Sequence, residues 1–543
     1  VTGRATLTAL PPPACRHGAL LAVALAAGAL FLSLDQDMYW HEIRFLYGAV
    51  EFSPAAMVGG EFNPHQFPGP SDALSAGGFY LAKYLHLRVL AAVFRVIPPA
   101  QGGLTVAVAL YYGFLGMAVL AGYWIYRRVH AHRTTALACV CGLILLPCTG
   151  YLGGKLMAEV LALPLMGFAV LAFLLSSQGG LARGACWAVL SALCVLLGAM
   201  ARLDSLLIAW GFWAAGIILP PRRVTRARWA LGGVIVAVCF VVAYGWVIRA
   251  LGSGPEALVA YLRSFVGAGR KPVAMSLLGM ATFGGLTYCL GLWALVSRPS
   301  RTEVFFCLWL LAAAGPAVII TWYYMVEPRY LVSGLYPLGG LVGWGVLRLW
   351  TQLARFRPGE ALVWVVSGVL LVAAGATMRF MPGELDRRAL LGAVDAIKER
   401  HGNAAILVPW AYTDFHFLRL MRPGDEILNV NSAIAAGKPL PVDAVWERKF
   451  RDWYGASYVQ AAADVTARMA LGPVYYLGWH KYPPAERAKR VAGLFGLNGL
   501  GGLVDSLPLQ DHLQESWLWH AGDFDFRFAG RCGQYEYYRV ARR

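Results

Sequence analysis

Two carboxylates, Asp35 and Asp37, stand in the run Leu34-Asp35-Gln36-Asp37-Met38-Tyr39-Trp40-His41-Glu42, where the first long apolar segment, Gly18 to Leu34, ends. An acid is costly inside a bilayer and conspicuous at its edge, so two together point to function. A carboxylate so placed can take a proton from a hydroxyl or ligate a cation. If the segment is helical, Asp37 and His41 (i, i+4) share a face, while Asp35 points away with Tyr39 and Glu42. One acid then does the chemistry and the other supports it, and Asp37 is the better placed. The plain alternative is a helix-end acid, with Asp37 paired to Arg44. Asp35, Asp37 and His41 could instead hold a divalent metal ion, the one cofactor these residues leave open; two histidines, His41 and His65, in a His-poor loop make a weak ligand set.

A second group of charges is sparse and pointed. It comprises Lys155 and Glu159, Arg202 and Asp204, Arg263, Arg270 and Lys271, and Glu327 and Arg329 within Trp322-Tyr323-Tyr324-Met325-Val326-Glu327-Pro328-Arg329-Tyr330. Arginine and lysine neutralise a phosphate, arginine with a two-pronged fork, while a carboxylate elsewhere activates an acceptor. Plainer readings stand beside these. Lys155 with Glu159 makes a helical i, i+4 bridge, Arg202 with Asp204 a buried pair locking two spans, and the Arg263–Lys271 cluster a contact with lipid headgroups.

The elements that must position these residues are membrane helices. The chain has 543 residues, 58% of them apolar and 14% charged, and a mean hydropathy of +0.55. No soluble core absorbs that much apolar surface, so the chain reads as a polytopic α-helical membrane protein. Its net charge of +17 resembles a nucleic-acid signal, but in a membrane protein the location of the basic residues decides. Apolar segments at 18–34, 104–126, 135–150, 159–175, 185–200, 203–219, 229–250, 274–296, 303–322, 331–349 and 361–378 give about eleven spans. The first reads as a span and not as a cleaved signal peptide, because no small-x-small cleavage site precedes Asp35. Arg4 and Arg16, Arg127, Arg128 and Arg133, Arg183, Arg222 to Arg228, Arg298 and Arg301, and Arg355 and Arg357 then all fall on one side. By the positive-inside rule the N-terminus is cytoplasmic, and both acids and the second group of charges lie outside.

Two outside regions are large. Residues 35–103 carry the loop signals Gly59-Gly60, Asn63-Pro64-His65 and Phe67-Pro68-Gly69-Pro70, then an amphipathic stretch from Gly77 to Val96. Tyr80, Tyr84, Leu87 and Ala91 share its apolar face, with Lys83, His86 and Arg88 polar, as in a helix lying on a membrane surface. Residues 379–543 form a separate outside domain; a helix at Asp386–Arg400 and strands at Ala404–Val408, Gly472–Gly478 and Tyr535–Val540 predict a small α/β unit. It has no Gly-rich nucleotide fingerprint. Of the ten cysteines only Cys532 lies there, which argues against an intrachain bridge.

Asp35-Gln36-Asp37 after the first span, the long outside loop, Met157-Ala158-Glu159, Arg202 at the end of a span and Glu327-Pro328-Arg329-Tyr330-Leu331 before a late span together resemble the GT-C superfamily of membrane glycosyltransferases. The layout is closest to protein O-mannosyltransferases and lipid A aminoarabinose transferases. The resemblance covers roughly residues 15–380 and is specific to the superfamily, since its motifs are short. It implies a GT-C-like catalytic domain over residues 1–378; the periplasmic α/β domain over 379–543, read from its own pattern, follows it. It also implies an inverting transferase of the bacterial inner membrane that moves a sugar from a polyprenyl phosphate to a hydroxyl of a protein, lipopolysaccharide or cell-wall glycan. Asp37 becomes the expected base and Asp35 its partner or a metal ligand. Arg202, Arg270, Lys271, Arg329 and Lys155 are expected at the donor phosphate, and Glu159, Glu327, Tyr330 and His65 elsewhere in the substrate site. The expected partners are the lipid-linked donor, the acceptor and membrane lipids, with no nucleic acid. A lipid or oligosaccharide flippase or transporter is the alternative; it predicts charges near mid-span, whereas these gather at the outside ends.

Overall fold

A computed structural model describes residues 38, 40–51, 53–59, 70–130, 133–178, 180–221, 224–266, 291–293, 296, 299–320, 332–353, 386–408, 414–429, 458–479, 524–533 and 535–543. Four described helices are long and apolar enough to cross a membrane, Gly103–Val129, Ala158–Gln178, Ala182–Ala201 and Arg226–Ala250. The chain is a multi-pass membrane protein. The expected spans at 18–34 and 361–378, and nearly all of 274–296, lie outside the described residues.

Helices α1 (Trp40–Glu51), α2 (Pro54–Val58), α3 (Pro70–Leu81) and α4 (Tyr84–Val96) precede α5 (Gly103–Val129). Next come α6 (Arg133–Leu145), α7 (Pro147–Leu152), α8 (Ala158–Gln178), α9 (Leu181–Ala201), α10 (Leu206–Ile218), α11 (Arg226–Ala250) and α12 (Pro255–Val266). They are followed by α13 (Arg301–Ile320) and α14 (Leu335–Leu353), then α15 (Arg387–Arg400), α16 (His416–Met421) and α17 (Tyr458–Leu471). Two of these depart from the sequence expectation. The segment at 135–150 is not one helix, because extended Leu146 and Pro147 at a helix start divide α6 from α7. The amphipathic stretch from Gly77 to Val96 is likewise two helices, parted at Ala82–Lys83. Its expected apolar face is buried, but so are Lys83 and His86, which the helical pattern assigned to the polar side.

The chain groups into two compact units. The first holds 81–86 and 108–379 with the chain's first 35 residues; the second holds 36–80, 87–107 and 380–543. In the first unit α8 is buried along nearly its whole length and packs on α9. Helix α11 instead leaves Val241, Val242 and Trp246 exposed, as a lipid-facing surface requires. Helices α6 and α14 cross backbone to backbone. A Cβ on Gly142 would lie 2.3 Å from the Gly339 carbonyl oxygen, and one on Gly343 would lie 2.4 Å from that of Ala138. Small residues four apart on both helices permit that approach, the usual means of membrane helix association where no hydrophobic effect operates. Tyr336 reinforces the bundle, its hydroxyl donating to the Leu163 carbonyl at 2.9 Å while its own carbonyl accepts from Tyr126 at 2.6 Å.

The second unit contains a five-stranded sheet of β1 (Ala405–Val408), β2 (Ile427–Asn429), β3 (Val474–Trp479), β4 (Phe524–Cys532) and β5 (Tyr535–Arg542), in the order β2-β1-β3-β5-β4. β1 runs parallel to β2 and β3, while β5 is antiparallel to β3 and β4. Ala405, Leu407, Val474, Tyr476, Phe524 and Val540 form one core face with Val465 of α17. Helix α15 packs against β4 and β5, its start capped by Asp386, which accepts from the Ala389 amide at 3.0 Å.

Candidate active site

The first unit gathers charge where α9 ends. Arg202 leaves the helix in an extended conformation (φ −163°, ψ 115°) and turns its side chain between two acids. It forks onto Asp204, with Nε and Nη2 donating to the two carboxylate oxygens at 2.5 and 2.6 Å, and its Nη1 pairs with Glu159 at the start of α8. Glu159 is buried and Asp204 half exposed. Described residues therefore engage three of the five guanidinium N–H groups. The pair of Arg202 with Asp204 is present, and Glu159 joins it from 43 residues away.

The break between α3 and α4 serves this cluster. The Leu203 amide donates to the Ala82 carbonyl at 3.2 Å, which brings Lys83 beside Asp204. Lys83 is buried, an uncommon state for a lysine, and its ammonium donates to the Tyr261 hydroxyl at 3.3 Å. One turn on, His86 and Tyr111 share a 2.6 Å hydrogen bond in full burial. Burial, with the Lys83 ammonium adding to it, pushes the His86 imidazole down to about 3, so it is neutral at physiological pH.

Lys155 is buried in the turn before α8, 5.8 Å from the Tyr151 ring centroid. It is not helical, since α8 begins at Ala158, so the expected i, i+4 geometry with Glu159 does not arise. Lys83, Tyr261 and His86 were not singled out for the site by sequence reasoning. The available signal was Lys83 between Tyr80 and Tyr84, a cation amid residues of the buried face.

Asp35, Asp37, His65, Arg270, Lys271, Glu327, Arg329 and Tyr330 lie outside the described residues, and His41 is placed in α1 by its backbone alone. Among the described residues no group of three or more His, Cys, Asp or Glu side chains could hold a metal ion.

The chain shares its fold with a solved membrane protein. The chain is similar to the crystal structure of ArnT from Cupriavidus metallidurans in the apo state, with a TM-score of 0.51 at 13% identity over 96% of this chain and 98% of that one. The same organism's ArnT bound to undecaprenyl phosphate gives 0.48 at 12% identity over 96% and 97%; the fold likeness rests on the first. No family model matches the chain, and no curated protein matches it at a significant level.

Proposed function

We propose that the protein is an inverting glycosyltransferase of the bacterial inner membrane. It would transfer a sugar from a polyprenyl-phosphate donor to a hydroxyl of a protein, lipopolysaccharide or cell-wall glycan on the outer face. The observation that carries this reading is the GT-C fold, shared over 96% of this chain with the apo ArnT structure. The buried cations at the ends of apolar helices support it, because a lipid-borne phosphate arrives at that level of the membrane.

In this reading Asp37, supported by Asp35, takes the acceptor's proton. The acceptor oxygen attacks the anomeric carbon, the bond from that carbon to the phosphate oxygen breaks, and polyprenyl phosphate leaves. Arg270, Lys271, Arg329, Lys155 and Arg202 receive the phosphate charge, with Lys83. Glu159 holds Arg202 in place, and Glu327, Tyr330 and His65 complete the substrate site. Residues 379–543 act outside the membrane, and the N-terminus is cytoplasmic.

The test is reconstitution of the purified protein in liposomes with a panel of polyprenyl-phospho-hexoses, reading release of polyprenyl phosphate. The wild type turns donor over, whereas Asp37→Asn binds donor and transfers nothing. Undiminished transfer by the variant would remove Asp37 from the mechanism. Loss of activity in EDTA with recovery on adding a divalent ion would assign a metal to Asp35, Asp37 and His41; unchanged activity would favour a metal-free base.

A further inference from the structure

Within the second unit, α1 packs against α16, a helix more than 360 residues further along the chain. The contact is built from three side chains. The Tyr47 ring lies over the His416 imidazole with centroids 4.0 Å apart at 35°. The Arg419 guanidinium donates to the Tyr47 hydroxyl at 3.3 Å, and its carbon sits 5.8 Å from both the Tyr47 and Phe415 ring centroids. His416 Nδ1 has no hydrogen-bond partner among the described residues, so the neutral ring serves as a stacking surface. The base of the contact is itself fixed. Phe417 and Leu418 are buried, and buried Asp414 accepts from the Tyr535 hydroxyl of β5 at 3.4 Å.

What α1 carries gives this contact its consequence. The helix has 12 residues, a length at which an isolated helix is marginal in water, so its placement depends on what its face packs against. That face is extensive. Ile43, Phe45, Leu46, Tyr47 and Ala49 are buried, and Phe45 stacks on Phe79 of α3 at 5.9 Å. At the other end Trp40, the first residue of α1, follows Asp37 by three positions, and the intervening Met38 is buried. We propose that Tyr47, His416 and Arg419 form a clasp by which the C-terminal segment positions α1, and with it the acid that precedes α1 in sequence. The proposal rests on the reading of Asp37 as the base. Tyr47, His416 and Arg419 are positioning residues, and the C-terminal segment contributes to the rate as well as to whatever acceptor it engages.

A misplacement of about 1 Å at a reacting group can cost about a hundredfold in rate. Arg419→Ala should therefore lower kcat for polyprenyl-phospho-hexose turnover by roughly tenfold to a hundredfold, with donor KM within about twofold. Arg419→Lys should recover much of the loss, and Tyr47→Phe, which keeps the ring and loses the oxygen, should fall between. Hydrogen exchange over residues 36–51 reads the clasp without any activity, and it should accelerate in Arg419→Ala while the sheet amides keep their protection. Wild-type exchange over 36–51, or acceleration through the whole unit together, would overturn the clasp. So would an Arg419→Ala enzyme with wild-type kcat beside an inactive Asp37→Asn. Full activity in Asp37→Asn, or no turnover by the wild type, would instead remove the reading on which the catalytic part stands.

Discussion

At Arg202 the three charges behave as one unit. Glu159 is almost entirely removed from solvent and faces the Arg202 guanidinium, so the two charges are buried as a pair. Glu159→Gln should cost on the order of 3–5 kcal/mol, read as a lowered melting temperature in detergent, because the partner charge is left short of compensation. Asp204→Asn should cost much less, since that carboxylate is half exposed and solvent screens its half of the pair. The two histidines give a pH signature. His416, like His86, is pushed down to about 3, by burial first and by Arg419 second. A histidine whose folded value lies below its unfolded value of about 6.5 stabilises the protein fully above the latter and progressively less as pH falls toward the former. Thermal stability should decline from about pH 6.5 downward, and His416→Phe should flatten that decline; an unchanged profile would show that the ring is not held neutral. The residue types of this site were legible in the sequence, but their partners were not. Glu159 and Arg202 are both visible as lone charges at span ends, whereas their pairing across 43 residues is a tertiary fact.

Helices set the next scale. The described spans could be located because a long apolar run has few other uses, and α5, α8, α9 and α11 fall close to where hydropathy placed them. The break at Ala82–Lys83 was not visible, since neither residue is a helix breaker and the interruption is held by the amide of Leu203, far along the chain. Two strands were missed for different reasons. β2 is only 3 residues long, while β4 alternates Phe524, Phe526 and Phe528 with charged residues, a period of two that was there to be read. The α6–α14 crossing yields a direct test. Gly142→Ala and Gly343→Ala should each destabilise by at least about 1–3 kcal/mol, because the added methyl meets backbone that cannot give way. Gly113→Ala and Gly116→Ala on α5 meet nothing within 4 Å and should be neutral or stabilising in the same melt. Equal effects at all four positions would contradict the close crossing.

The whole molecule joins a bundle of apolar helices to a unit built on a mixed sheet. The multi-pass helical character was legible because long apolar runs with few charges recur along the chain. The grouping of residues 36–80 with 380–543 was not legible, since the sequence separates them by nearly the full run of spans and only packing unites them. The proposed reaction is transfer of a sugar from a lipid-linked phosphate with Asp37 as base. Its most direct test is release of polyprenyl phosphate from a panel of polyprenyl-phospho-hexoses by the wild type and by Asp37→Asn, both reconstituted in liposomes. The wild type should turn donor over and the variant should not, with donor binding retained in both. Turnover by Asp37→Asn at the wild-type rate, or a wild type inert toward every donor, would contradict the proposed reaction.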